Sequence, residues 1–330
     1  MEQFIKNLEI QNIDKEKINH LKNLIKSVCG SFYIIKPKKN YFRFPYLLYV
    51  PNQFDSTTLI MHGNNLALEE GNILNIYSAI FETTSEAGYD LLSLNQPILV
   101  PITSNYIHPA NNNMHEFFPM QASRNVLFCK DSTNTYYKLF EQINNMIEDA
   151  QNIIESKYNV HIDDKIICHG FSSSSKFVLR YATCYPSKVS LLIAGGFGNQ
   201  AILPLENITI NNTCIDLIYP VGIKDIKYIT GKDFDKSSFY NLKQFYFIGE
   251  LEDSSNDTAF NFRHTDPDIQ EIYKNVFGFD YQSRFYQLKK IFKELNYTNV
   301  EFIRYANFGH SATPGISHST ELIKNYRKIE

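Results

Sequence analysis

Ser172 lies in the run Gly170-Phe171-Ser172-Ser173-Ser174, just after the apolar stretch Ile166-Ile167-Cys168-His169 and just before a segment of helical spacing. A serine at a tight strand-to-helix turn has its hydroxyl lifted clear of the sheet and its backbone strained. Only small residues fit two positions before and after it, and Gly170 and Ser174 are both small. Such a hydroxyl attacks an acyl carbon when a base takes its proton and an acid orients the base. Of the nine histidines, His310 alone combines a position just after a strand-like segment with a preceding glycine and a polar exit, Gly309-His310-Ser311. The acid is sought in the stretch 249–257, where four carboxylates crowd together: Glu250, Glu252, Asp253 and Asp257.

Each of these residues needs an element to hold it. Phe177, Val178, Tyr181 and Ala182 recur at helical spacing, Tyr185-Pro186 ends that helix, and residues 189–194 read as a buried strand before Gly195-Gly196. The helix aims its positive end and its first N–H groups at any anion formed at Ser172. Strand-like residues 244–248 precede the carboxylate loop and 300–305 precede His310, so the order along the chain is serine, acid, histidine. A tetrahedral oxyanion needs preorganised donors, and losing one raises the barrier by about 2.7 to 4 kcal/mol. Ser173 N–H is one expected donor. The other is Asn64 N–H, in the turn His62-Gly63-Asn64-Asn65 after the strand expected at 57–61.

Upstream, Asp14 is placed to cap a helix whose stripe is Ile18, Leu21, Leu24, Ile25 and Val28, with Gly30 as its stop. Strands are expected at 32–35, 46–50 and 98–100, and helices at 73–87 and 135–158. Alternating strands and helices predict a mostly parallel sheet with helices on both faces. From 102 to 131 the periodicity fails; His108, His115, Phe117 and Phe118 in this stretch are expected to line or cover a pocket, and 197–236 to form part of a cap. The chain is divided into an N-terminal packing helix, residues 1–30, and a single domain, residues 31–330.

The 330 residues are 43% hydrophobic, enough for a large core, and the net charge of -3 offers no basic field for nucleic acid. No apolar run reaches bilayer-spanning length and the start is polar, so a cytoplasmic protein is expected. Five widely spaced cysteines without a C-x-x-C pair argue against a disulfide framework or a zinc site, and no metal or other cofactor is expected. His62 and His169 are read as structural, the first fixing its turn and the second a satisfied core histidine.

The elbow, Gln96-Pro97-Ile98-Leu99-Val100-Pro101, Tyr219-Pro220-Val221-Gly222-Ile223-Lys224-Asp225, Asn256-Asp257-Thr258 and Gly309-His310 together resemble a group of bacterial esterase-like proteins of the α/β-hydrolase superfamily. The resemblance runs from about residue 46 to residue 326. It implies the α/β-hydrolase fold with loop or cap insertions, and a serine hydrolase cleaving an ester or related acyl bond of a small molecule through a Ser-His-Asp triad. In that family the acid follows the strand-ending glycine by about three residues, which implies Glu252 or Asp253. Asp253 is taken as the acid, with Asp257 as the second candidate. The chain departs from the group in having Ser174-Ser175 where Ser-Gly is usual and in a longer acid loop. A binding protein that has lost turnover, and a peptidase or acyltransferase using the same triad, are the alternatives.

Overall fold

The computed structural model describes residues 2–10, 14–65, 73–84, 91–103, 106–107, 115–116, 122–198, 201–253 and 267–326. Eight strands form the central sheet: β1 (Gly30–Ile35), β2 (Tyr46–Pro51), β3 (Ile60–His62), β4 (Ile98–Pro101), β5 (Ile166–Phe171), β6 (Val189–Gly195), β7 (Lys243–Gly249) and β8 (Val300–Tyr305). Their spatial order is β1-β2-β4-β3-β5-β6-β7-β8. Every pairing from β4 to β8 is parallel, and β2 alone runs against its neighbours.

The strands are apolar on both sides because both sides are covered. Leu48, Met61, Leu99, Cys168, Leu192 and Tyr246 enter one core with the helices Leu139–Tyr158, Ser173–Cys184, Pro267–Phe277 and Tyr281–Glu294. The alternate residues Leu47, Ile60, Ile98, Ile167, Leu191 and Phe245 enter a second core. There they meet Phe4 of the helix Glu2–Ile10, Ile18 and Leu21 of Lys15–Ser27, Ile80 of Ile73–Thr84, and Ile323 of Thr313–Tyr326. Each such side chain taken fully out of water contributes about 1.5 to 3 kcal/mol. Among the described residues no helix is long and apolar enough to cross a membrane.

Several boundaries differ from the sequence expectation for local reasons. Asp14 does cap its helix, accepting from Glu16 N–H at 2.9 Å, but the helix ends at Ser27 and Val28 is already extended. Gly30 is not a helix stop; it opens β1, where an added Cβ would stand 2.5 Å from the Tyr49 ring. The strand expected from 57 begins only at Ile60, because Thr57 and Thr58 give their hydroxyls to the Asp163 carboxylate, at 2.8 and 2.5 Å. The helix expected from 135 starts at Leu139, since Lys138 sits at φ 55 and Asn134 Oδ1 holds Tyr136 N–H in a turn. Residues 1–30, expected as one packing helix, hold two helices, Glu2–Ile10 and Lys15–Ser27. Of the helix expected over 73–87, residues 85–87 lie outside the described residues. The aperiodic stretch holds a short antiparallel pair, Tyr106–Ile107 with His115–Glu116, and the single turn Arg124–Leu127; the positions of His108, Phe117 and Phe118 lie outside the described residues.

His62 of β3 and His169 of β5 are cross-strand partners, and their Nδ1 atoms lie 3.0 Å apart, both rings buried. Two ring nitrogens at this separation share one hydrogen, so one imidazole donates and the other accepts. Burial pushes His62 down to about 4, and burial with the neighbouring His62 pushes His169 well below its ordinary value. The unfolded chain therefore takes up protons that the folded chain refuses as the pH falls from about 6.5 towards 4. The expected outcome is a loss of unfolding free energy through that window, from His62 alone at up to about 1.4 kcal/mol per pH unit. Urea titrations between pH 7 and pH 4 check it: His62→Gln should lose less stability on acidification than the wild type, and parallel curves would contradict the shared-proton pair.

Candidate active site

Four loops leave the carboxyl ends of β3, β5, β7 and β8, all at one edge of the parallel run, and they carry the residues that sequence reasoning singled out. The elbow follows β5. Ser172 is the N-cap of the helix Ser173–Cys184 and lies at φ 62, ψ −127, a region that costs a residue with a side chain on the order of 1–3 kcal/mol. The strain is held from all sides. Ser172 N–H donates to Gly195 O at 2.9 Å, tying the turn to β6. Ser174 Oγ donates to Phe171 O at 2.6 Å while accepting from Phe171 N–H at 2.9 Å, and Ser175 Oγ donates to Ser172 O. Gly170 is required by packing, since a Cβ there would lie 2.7 Å from the Ser174 carbonyl.

His310 joins the serine to a carboxylate. Its Nε2 lies 2.9 Å from Ser172 Oγ and its Nδ1 lies 2.9 Å from Glu252 Oε1. An ionised carboxylate only accepts, so Nδ1 carries the hydrogen and Nε2 is left to accept the serine's proton. The ring packs on Phe171 with centroids 4.8 Å apart, and Gly196, at φ 56, leaves it room: a Cβ there would stand 3.0 Å from His310 Cε1.

The carboxylate at His310 is Glu252, not the expected Asp253. The reason is a turn. Glu252 N–H donates to Gly249 O at 3.2 Å, so the chain reverses after β7 and delivers the buried Glu252 side chain to the histidine, while Asp253, the next residue, is exposed. Asp257 lies outside the described residues. Glu250, also in this cluster, ties down the histidine loop, accepting from Arg304 Nη2 at 3.0 Å and from Asn307 N–H at 3.4 Å.

The acid loop and the histidine loop are joined through their backbones. Glu250 N–H donates to Tyr305 O and Leu251 N–H to Phe308 O, each at 2.8 Å. A Cβ on Gly249 would collide with the carbonyls of Phe308 and Gly309, so only glycine allows this approach. Close approach also governs the loop after β3: a Cβ on Gly63 would stand 2.5 Å from that of Ser174. Gly63 N–H donates to His169 O at 3.1 Å, and Asn64 Oδ1 accepts from Ser78 Oγ at 3.5 Å. Asn65 Oδ1 accepts from Ser174 N–H at 2.8 Å. This side chain caps the elbow helix from a different loop and holds residues 63–65 against its first turn, where helix geometry provides no carbonyl within the helix for the N–H groups. The two expected donors, Ser173 and Asn64, thus belong to segments that the fold presses together beside Ser172.

Sequence reasoning held Glu252 among the candidate acids while preferring Asp253, and it did not single out Asn65. Asparagine is a capping residue type, but no local pattern links it to a helix more than one hundred positions away. The segment from Tyr219 to Asp225 is not part of this constellation. Its Tyr219 N–H donates to Asp225 Oδ1 at 2.8 Å, and Arg124 Nη1 donates to Tyr219 O at 3.1 Å and to the Asp225 carboxylate, a structural knot in the core. Among the described residues no three His, Cys, Asp or Glu side chains gather as metal ligands.

No protein-family model matches the chain, and no curated protein matches its sequence. Its structure is similar to poly(aspartic acid) hydrolase-1 from Sphingomonas sp. KT-1, at TM-score 0.52 and 14% identity over 89% of this chain and 97% of that one. It is also similar to LpqC, a poly(3-hydroxybutyrate) depolymerase from Bordetella parapertussis, at TM-score 0.51 and 11% identity over 94% of each chain. With the strand order and the elbow, these likenesses define the class: the chain has the α/β-hydrolase fold.

If Asn65 caps the elbow helix, Asn65→Ala should cost about 1 kcal/mol of unfolding free energy, the usual loss for such a cap. A urea titration beside the wild type measures it, and an unchanged midpoint would contradict the assignment.

Proposed function

We propose that the chain is a serine hydrolase that cleaves an ester or related acyl bond of a small molecule in the cytoplasm. The observation that carries this reading is the continuous path from Ser172 Oγ to His310 Nε2 and from His310 Nδ1 to Glu252 Oε1, each contact 2.9 Å, at a strained strand-to-helix turn. Hydrogen-bond reach in series is what nucleophile activation demands, and a protein kept only for binding has no need of a carboxylate aimed at the far nitrogen of its histidine.

In this mechanism Ser172 attacks the carbonyl carbon as His310 Nε2 takes its proton. Buried Glu252 holds the imidazole in the Nδ1–H tautomer and stabilises the imidazolium that forms. Ser173 and Asn64 N–H groups stabilise the oxyanion, assisted by the positive end of the elbow helix. His310 then protonates the leaving group, and water, activated by the same nitrogen, releases the acyl group from Ser172. Every step uses side chains and backbone of this chain. The triad is accordingly Ser-His-Glu in place of the Ser-His-Asp set expected from the resemblance.

Intact mass spectrometry after treatment with a fluorophosphonate tests the reading. One adduct is expected on the wild type, none on Ser172→Ala, and strongly slowed labelling on His310→Ala; no adduct on folded wild type would overturn it. The acid is tested by hydrolysis of a p-nitrophenyl ester. Glu252→Gln should lower kcat by about four orders of magnitude, since it removes the charge that holds the tautomer. Asp253→Asn should stay within about twofold of wild type, as an exposed substitution does, and the reverse ranking would return the role to Asp253.

A further inference from the structure

We infer that Gln282 is a positioning residue for the acid of the triad, acting through the turn that carries Glu252; the inference rests on the reading of Glu252 as the residue that orients His310. Gln282 belongs to the helix Tyr281–Glu294, which lies between β7 and β8 in sequence and contributes nothing to the reacting atoms. Its Nε2 donates to two carbonyl oxygens, Gly249 O and Glu252 O, both at 3.0 Å. These are the first and last residues of the turn closed by Glu252 N–H on Gly249 O. One amide group therefore clamps both ends of the turn whose only buried carboxylate faces His310.

The chemistry of the site requires an amide. Two carbonyl oxygens can be bridged by a single planar group only if that group offers two hydrogens, as a carboxamide nitrogen does. Rotating the amide would set Oε1 against the two carbonyls, so the network itself decides its orientation. Gln282 Oε1 is buried and accepts no hydrogen bond from the described residues. Burying a carboxamide carries a desolvation cost that leucine at the same place would avoid, and the two clamped carbonyls are what the amide does in return.

The clamp is anchored well. Asp280 caps the helix, accepting from Ser283 N–H at 2.8 Å and from Ser283 Oγ at 2.6 Å, bonds that hold its carboxyl below the usual carboxylate range. Phe285, Leu288 and Phe292 fix the helix in the core. Gln282, in the first turn, thus reaches the acid loop from a rigid base, while the other side of that loop is bonded to Tyr305 and Phe308. Glu252 Oε2 accepts nothing from the described residues, so the direction of its carboxylate depends on the backbone that bears it and on the single contact to His310.

Two variants separate positioning from plain structural support. Gln282→Leu removes both donors at similar volume, and Gln282→Glu keeps the shape but faces the carbonyls with oxygens. With both folded by near-UV circular dichroism, kcat on a p-nitrophenyl ester should fall about 10- to 100-fold with KM within about threefold, the signature of misplaced catalytic groups. The Nδ1–H proton resonance of His310, assigned by its absence in His310→Ala, should move upfield in Gln282→Leu as its hydrogen bond to the receding Glu252 carboxylate weakens. A kcat within twofold of wild type together with an unmoved His310 Nδ1–H resonance would overturn the role of Gln282. Failure of the hydrolase reading looks different: the wild type itself would neither hydrolyse the ester nor take up fluorophosphonate, while the His310 Nδ1–H resonance would still report on the clamp.

Discussion

The arrangement around Ser172 depends on two loops that cannot be moved apart. The turn after β7 gives its N–H groups to carbonyls of the loop after β8, and Gly249, lacking a Cβ, lets the two backbones approach to hydrogen-bonding distance. Glu252 and His310 are therefore attached to one bonded unit. Their side-chain contact of 2.9 Å is not asked to hold the loops together; it is the consequence of loops already held. Catalytic geometry of this kind tolerates displacements well below an ångström, which backbone bonds between adjacent parallel strands can guarantee and surface side chains cannot.

A second constraint meets the first at Ser172. Its positive φ is unfavourable, and the surrounding structure makes it the only way through: the serine's own N–H is bound to β6, the following hydroxyls bond back across the turn, and glycines at 63 and 170 let the helix start crowd against β3 and β5. The strain is stored where a projecting hydroxyl is wanted and is offset by the two large cores flanking the sheet. Beneath the elbow the buried His62–His169 pair links β3 to β5 side chain to side chain, and its burial disfavours charging either ring.

Much of this was legible in the residues. Alternating apolar strands and helices implied a parallel sheet covered on both faces, and the elbow was marked by small residues around Ser172, because steric exclusion leaves a local trace in sequence. His310 was marked in the same way, by a glycine and a strand before it. The donors for an oxyanion were legible only as candidates, Ser173 and Asn64, from their places beside the elbow and in the turn after β3.

What the chain could not specify by itself was which of several like groups meets a partner far away in sequence. Four carboxylates within a few positions of one another are equivalent to any local rule, and Glu252 is set apart from Asp253 only by a turn whose direction is decided by bonds to Tyr305, Phe308 and Gln282. Asn65 and Gln282 were invisible for the same reason: each acts on backbone groups that only folding brings near. The sequence by itself determined the fold class and singled out Ser172 and His310, since these rest on periodicity and on sterics between neighbours. The tertiary structure alone decided which carboxylate meets His310 and which residues hold its turn, because hydrogen bonds between distant segments leave no pattern in the order of the residues that make them.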